Sequence, residues 1–218
     1  MTFAYPLPLA TLADRLPIQS AVFTDHRNDE LSGSADARVW QAEMADPLWT
    51  AEVVIDTVYH REASQIAATI RKLFGAQETF WLYDPVKQYP EADPTGAILG
   101  ASLVKVNTLG VDNKSLRFSG LPAGYALTLG DKFQINYVGG RSYFGEVSET
   151  VAAAGSGITP AFEVFPHLPS GLAVNDTVTL IRPACKMFIM PKSFRQGTQD
   201  GMFHRGIGFT AMQRKRPS

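Results

Sequence analysis

Four histidines, one cysteine and a small acidic group are the side chains in this sequence with the types to do chemistry. His26, His60, His167 and His204 are far apart along the chain, and none has the short spacing of a metal-binding pair. They read as unrelated surface or partly buried residues. Cys185 with His167 or His204 could make a thiol nucleophile and its base. Yet Cys185 follows Pro183 and opens a strand, with no helix N-terminus to lower its pKa, so a small buried hydrophobe is the better reading. Asp84, Glu91 and Asp93 could serve as a hydrolase carboxylate pair. They stand among Pro85, Pro90 and Pro94, where Asp initiates turns.

The remaining motifs are weaker. Gly155-Ser156-Gly157 lacks the Gly-Lys-Ser/Thr ending of a phosphate loop and reads as a tight turn before a strand. Trp40, Trp49 and Trp81 could line a sugar-binding face, but their settings suit core or subunit contacts better. The terminal QRKRPS groups Arg214, Lys215 and Arg216, a run that either binds an anionic partner or is solvated. No catalytic, cofactor-binding or metal-binding residue is assigned, no cofactor is expected, and a non-enzymatic role follows.

Composition narrows the class. The chain has 218 residues, 45% hydrophobic and 19% charged, enough to bury a large core. A net charge of −1 selects neither nucleic acid nor membrane, and a single cysteine excludes an internal disulfide framework. The opening MTFAYPLPLATLADRLP, broken by Pro6, Pro8 and Pro17, does not read as a signal peptide. No apolar run approaches the roughly 20 residues of a membrane span. A soluble protein kept in a reducing compartment is expected.

The elements that would position these residues are mostly strands. The first 50 residues look loosely structured, with a polar, turn-rich stretch from Phe23 to Trp40. TAEVVIDTVY (50–59) reads as a strand with Val53 and Ile55 on one face and Glu52 on the other. In REASQIAATIRKLFGA, Ile66, Ile70, Leu73 and Phe74 form one helical stripe, with Gly75 placed to end it. ETFWLYDP then reads as an aromatic strand. From residue 100 onward, short strands separated by turns indicate a small barrel or sandwich. Within it, GDKFQINYVGGRSYFGEV (130–147) is a hairpin: Phe133, Ile135 and Tyr137 point inward, Lys132, Gln134 and Asn136 outward, and Gly139-Gly140 form a two-residue turn. LPAGYALTLGDKFQI (121–135) is echoed by LPSGLAVNDTVTLI (168–181), a sharing of turn chemistry. KMFIM (186–190) and GMFHRGIGFTAMQRK (201–215) read as two strands joined by the polar loop SFRQGTQD. The expected organisation is a discontinuous domain of residues 1–94 and 181–218, with a β-module of residues 95–180 inserted.

In the order of these features the chain resembles the distal tail and minor tail proteins of long flexible-tailed bacteriophages. The resemblance rests on AEVVIDTVY, SQIAATIRKLFGAQETFWLYDP, the GDKFQI hairpin and GSGITPAFEVFPHL, across about residues 45 to 190. The first 40 residues match nothing in it. It implies a mainly β fold with one helix, a tail-tube-like β-sandwich or split barrel carrying an inserted small β-barrel or sandwich. It further implies a ring, usually of six copies, that joins the tail tube to tail-tip hub proteins at the virion's tail tip after assembly in the host cytoplasm. DNA would pass through its lumen without specific binding, and no membrane is involved. Iron–sulfur binding in some tail-tip relatives uses several cysteines, so it does not carry over to a chain with one. A carbohydrate-binding adhesin is the alternative.

Overall fold

The computed structural model describes residues 4–33 and 39–215. The 34–38 part of the polar stretch and Arg216 of the basic run lie outside the described residues. The fold is mainly β, with 47% of residues in strands, about twice the share of an ordinary globular chain.

Both ends of the chain contribute to an open sheet. Strands β1 (Ile18–Gly33) and β2 (Val39–Ile55) make a long antiparallel hairpin, and a short β3 (Val58–Tyr59) leads into helix α1 (His60–Lys72) and strand β4 (Phe80–Tyr83). Strands β5 (Lys105–Leu109), β6 (Ser115–Ser119), β7 (Ala126–Leu127), β8 (Lys132–Tyr137), β9 (Arg141–Val147), β10 (Val151–Ala152), β11 (Phe162–Phe165) and β12 (Thr177–Thr179) follow. The chain then adds β13 (Ala184–Ile189), β14 (Arg195–Asp200) and β15 (Phe203–Gln213). Sheet order is β1-β2-β15-β13-β4, with β3 and β14 also paired to β15. β11-β6-β5-β12-β8-β9 close into a barrel, and β7 pairs with β10 beside it.

The first 50 residues are more ordered than their sequence suggests. Leu7 bridges Phe80 in parallel, donating its N–H to Thr79 O (2.9 Å) while its own O accepts from Trp81 N (3.1 Å). Pro6 and Pro8 flank that single bridge and have no N–H to extend it. Leu7, Leu12, Ala13 and Leu16 are buried in the sheet's core. The stretch expected to be turns is instead the β1–β2 hairpin. Beyond Trp49 both of its faces are largely exposed, so no hydrophobic alternation marks it as strand. SFRQGTQD likewise holds a strand rather than a loop: all six residues of β14 are exposed, and the ladder to β15 is what orders them.

Helix α1 buries Ala63, Ile66, Ala67 and Ile70, with Leu73 following, and Glu62 and Arg71/Lys72 sit at the dipole-favoured ends. Phe74 departs from the expected stripe. The helix stops at Leu73, and Phe74 (φ 52°) and Gly75 (φ 68°) both turn left-handed, which throws the Phe74 ring into solvent.

The barrel core centres on Phe118, whose ring meets Phe133 at 5.3 Å and Phe162 at 5.1 Å, both edge-on. Gly145 is required there, because a Cβ would lie 2.7 Å from the Phe133 ring and 2.6 Å from that of Tyr143. The β8–β9 turn is three residues, 138–140, since Tyr137 pairs with Arg141; both glycines do take positive φ. Lys132 and Gln134 do face outward from the barrel, as expected, but neither reaches solvent. Both are 8% exposed, because the barrel's outer face at β8 packs on the open sheet. The echo has a structural counterpart: Asp131 accepts from Thr128 N (2.8 Å) and Asp176 from Ala173 N (2.7 Å), each opening one of the paired strands β8 and β12.

Candidate functional site

The structure brings together one pair of the flagged histidines and leaves the other two apart. The Val58–His204 register of β3 and β15 sets His60 Nδ1 2.8 Å from His204 Nε2, next to a Tyr59–Phe203 ring contact at 5.0 Å. The expectation that all four are unrelated is therefore corrected: the sheet closes 144 residues of separation that the sequence hides. His26 and His167 are exposed elsewhere. Among the described residues, no three His, Cys, Asp or Glu side chains converge as a metal set.

Cys185 is fully buried between β4 and the rest of the core, and burial pushes its thiol pKa up, away from a reactive thiolate. The acidic group organises loops. Asp84 Oδ1 accepts from Val86 N (2.9 Å), and buried Asp93 accepts from Ile98 N (3.2 Å) and Leu99 N (2.9 Å). Glu91 pairs with Lys87 at 2.8 Å. Trp49 is buried, Trp81 is half-buried and Trp40 is exposed. Arg214 donates to Ala76 O and Gln77 O, both at 3.0 Å, and Lys215 pairs with Asp46 at 3.0 Å, so both basic side chains are held by their own chain.

The most prominent surface feature is one that sequence reasoning missed. The distal β1–β2 hairpin forms an arm beyond the core contacts of Ala21 and Trp49. It carries Leu31, Val39, Trp40 (68% exposed) and Met44 (63% exposed) into solvent. The register pairs Leu31 with Gln41 and Gly33 with Val39 on one face, and Ser32 with Trp40 on the other. Apolar side chains therefore stand on both faces. Arg27 braces the arm by pairing with Asp29 at 2.7 Å, and Thr24 and Thr50 hydroxyls meet across the strands at 2.8 Å. Asp25, Asp29, Glu30, Glu43 and Asp46 make it acidic. Among the described residues β1 pairs on one side only, with β2, so its outer edge presents unpaired backbone groups to another strand. Such an arm can take another chain by strand addition and by covering the apolar groups.

No known family model matches the chain, and no curated protein matches it.

Proposed function

We propose that the protein is a structural component of a phage tail tip, a ring-forming connector between the tail tube and the tail-tip hub proteins, with DNA passing through its lumen. It works without catalysis. The observation that carries this reading is the β1–β2 arm, whose Leu31, Val39, Trp40 and Met44 are exposed on a hairpin that its own core does not cover. Isolated two-stranded hairpins are marginal in water, and apolar groups on both faces of one suit burial against neighbouring copies. Copies related by rotation use the same two surfaces in turn, which closes a ring; six is the expected number.

The acidic arm fits a channel that must not hold DNA, since every fixed phosphate contact would slow passage. The inserted barrel supplies a rigid outer body for tail-tip neighbours. Two measurements test the reading. Negative-stain microscopy of the purified chain is expected to show rings, and duplex DNA is expected to bind no tighter than the non-specific range of about 10⁻⁴–10⁻⁶ M at physiological salt. Nanomolar, sequence-selective DNA binding would overturn it.

A further inference from the structure

We propose that His60 and His204 form a two-ligand binding site for a divalent transition-metal ion of the Zn²⁺, Ni²⁺ and Cu²⁺ class. His60 Nδ1 lies 2.8 Å from His204 Nε2, while the ring centroids are 4.9 Å apart. The two nitrogen edges therefore face each other, and the rings do not stack. Zinc–imidazole bonds of about 2.0–2.1 Å place two nitrogens about 2.9 Å apart at a right angle and about 3.4 Å apart at the tetrahedral angle. The pair reaches either arrangement when its rings open by about 0.6 Å or less.

The backbone holds this geometry before any ion arrives. β15 carries His204 between two neighbours, with Val58 of β3 opposite it on one side and Gln199 of β14 on the other. His60 opens α1 one step beyond the β3 ladder, where its N–H donates to Met202 O at 2.9 Å. The Tyr59–Phe203 ring contact closes the same end of the ladder. Both imidazoles thus stand on main chain fixed by hydrogen bonds, so little ordering remains to oppose binding.

The chemistry follows from the facing nitrogens. Two neutral imidazoles in contact share one hydrogen, carried by either facing nitrogen. A metal ion takes its place: the hydrogen moves to the far nitrogen of its own ring, and both facing lone pairs become ligands. Nδ1 of His204 is buried without a partner among the described residues, which leaves Nε2 as the nitrogen it offers. His60 is exposed, so water can reach the ion and fill its remaining positions. Imidazole nitrogen selects Zn²⁺, Ni²⁺ and Cu²⁺ over Mg²⁺ and Ca²⁺, which take oxygen ligands. Flanking charge does not oppose a cation: Glu62 offsets Arg61, and Asp200 pairs with Arg205 at 3.5 Å. A bound ion clamps β3 and the start of α1 to β15, across 144 residues of sequence. The inference does not rest on ring formation.

The test is long-range ¹H–¹⁵N NMR of the imidazole rings on the full chain, stripped with EDTA and dialysed. ZnCl₂ is added to about 1 mM at about pH 7.5, above the ordinary imidazole value of about 6.5. The His60 and His204 signals are expected to shift together and saturate at one ion per chain. The expected Kd is about 10⁻⁶–10⁻⁴ M, weaker than a closed four-ligand site. MgCl₂ at about 10 mM should move neither ring. His60→Gln and His204→Gln should each weaken Zn²⁺ binding at least about 10-fold, while His26→Gln should leave it unchanged. At a hundredfold excess over Kd, Zn²⁺ should raise the folded-to-unfolded ratio of the parent about 100-fold, and that of His60→Gln far less. Unmoved His60 and His204 rings, equal shifts at His26 and His167, or undiminished binding by His60→Gln overturns the proposal.

Discussion

The indole of Trp49 donates its Nε1–H to the backbone oxygen of Phe144 at 2.9 Å, tying the open sheet to the barrel. The Phe144 and Phe165 rings meet Trp49 edge-on at 5.8 and 5.7 Å, and Lys132 Nζ lies 4.1 Å over its ring. Lys132 is itself paired with Glu146 on β9. One side chain therefore joins two cores, and its removal should loosen their coupling. Trp49→Ala is expected to cost about 3–5 kcal/mol. Trp49→Phe, which keeps a ring but leaves the Phe144 carbonyl without its donor, should cost about 1–3 kcal/mol. Urea unfolding of both variants measures the two values, and the alanine variant should also show a less cooperative transition.

The helix gives a paired comparison of neighbouring apolar residues. Ile70 is 4% exposed and Phe74 is 72% exposed. Ile70→Ala should cost about 2–5 kcal/mol. Phe74→Ala should stay within about 0.5 kcal/mol of the parent. Equal losses in thermal or chemical unfolding would show that Phe74 packs on the core after all.

Gly145 and Gly139 separate crowding from backbone strain. A methyl at Gly145 would enter the space of the Phe133 and Tyr143 rings, so Gly145→Ala should cost about 1–3 kcal/mol. Gly139 has φ 74° with open space around its Cβ position, so Gly139→Ala should lose only about 1 kcal/mol, from the left-handed backbone. Denaturant midpoints with unchanged slopes would register both effects as stability changes.

Two carboxylates should titrate on opposite sides of the ordinary Asp value of about 3.9. The hydrogen bond from Arg27 holds Asp29 below it. Its small contribution to the arm is present above the ordinary value and is lost as pH falls through the lower native one. Burial pushes Asp131 above the ordinary value, against the backbone N–H groups of Thr128 and Glu91 that favour its charge. Its contribution has the reverse sign: present below the ordinary value, lost as pH rises through the raised native one. Carbon-detected NMR titration of the two side chains reads both midpoints, and Arg27→Ala should bring Asp29 back up.

The parts of the fold that were legible from sequence are those with one face in a core. The alternation of Phe80 and Leu82, the helical stripe through Ile66 and Ile70, and the inward Phe133 and Ile135 each record burial directly. The arm left no such record, because Asp25 to Gly33 and Val39 to Asp46 are exposed on nearly every side chain. β14 has the sequence of a loop for the same reason, since all six of its residues are exposed. Lys132 and Gln134 misled differently: they are polar by type but buried by a second body lying on the barrel's outer face. The His60–His204 contact depends on strands brought together from distant parts of the chain, which no local spacing can express.

The central claim is that the arm exists to be covered by other copies, and the direct measurement is mass photometry of the parent beside Trp40→Glu. Trp40 is 68% exposed and, among the described residues, stands outside the core, so the substitution should leave the stability within about 0.5 kcal/mol of the parent. The parent is expected to form a closed oligomer of about six copies, and Trp40→Glu to remain a folded monomer. A parent that stays monomeric when concentrated, or a Trp40→Glu variant that assembles as well as the parent, would contradict the account.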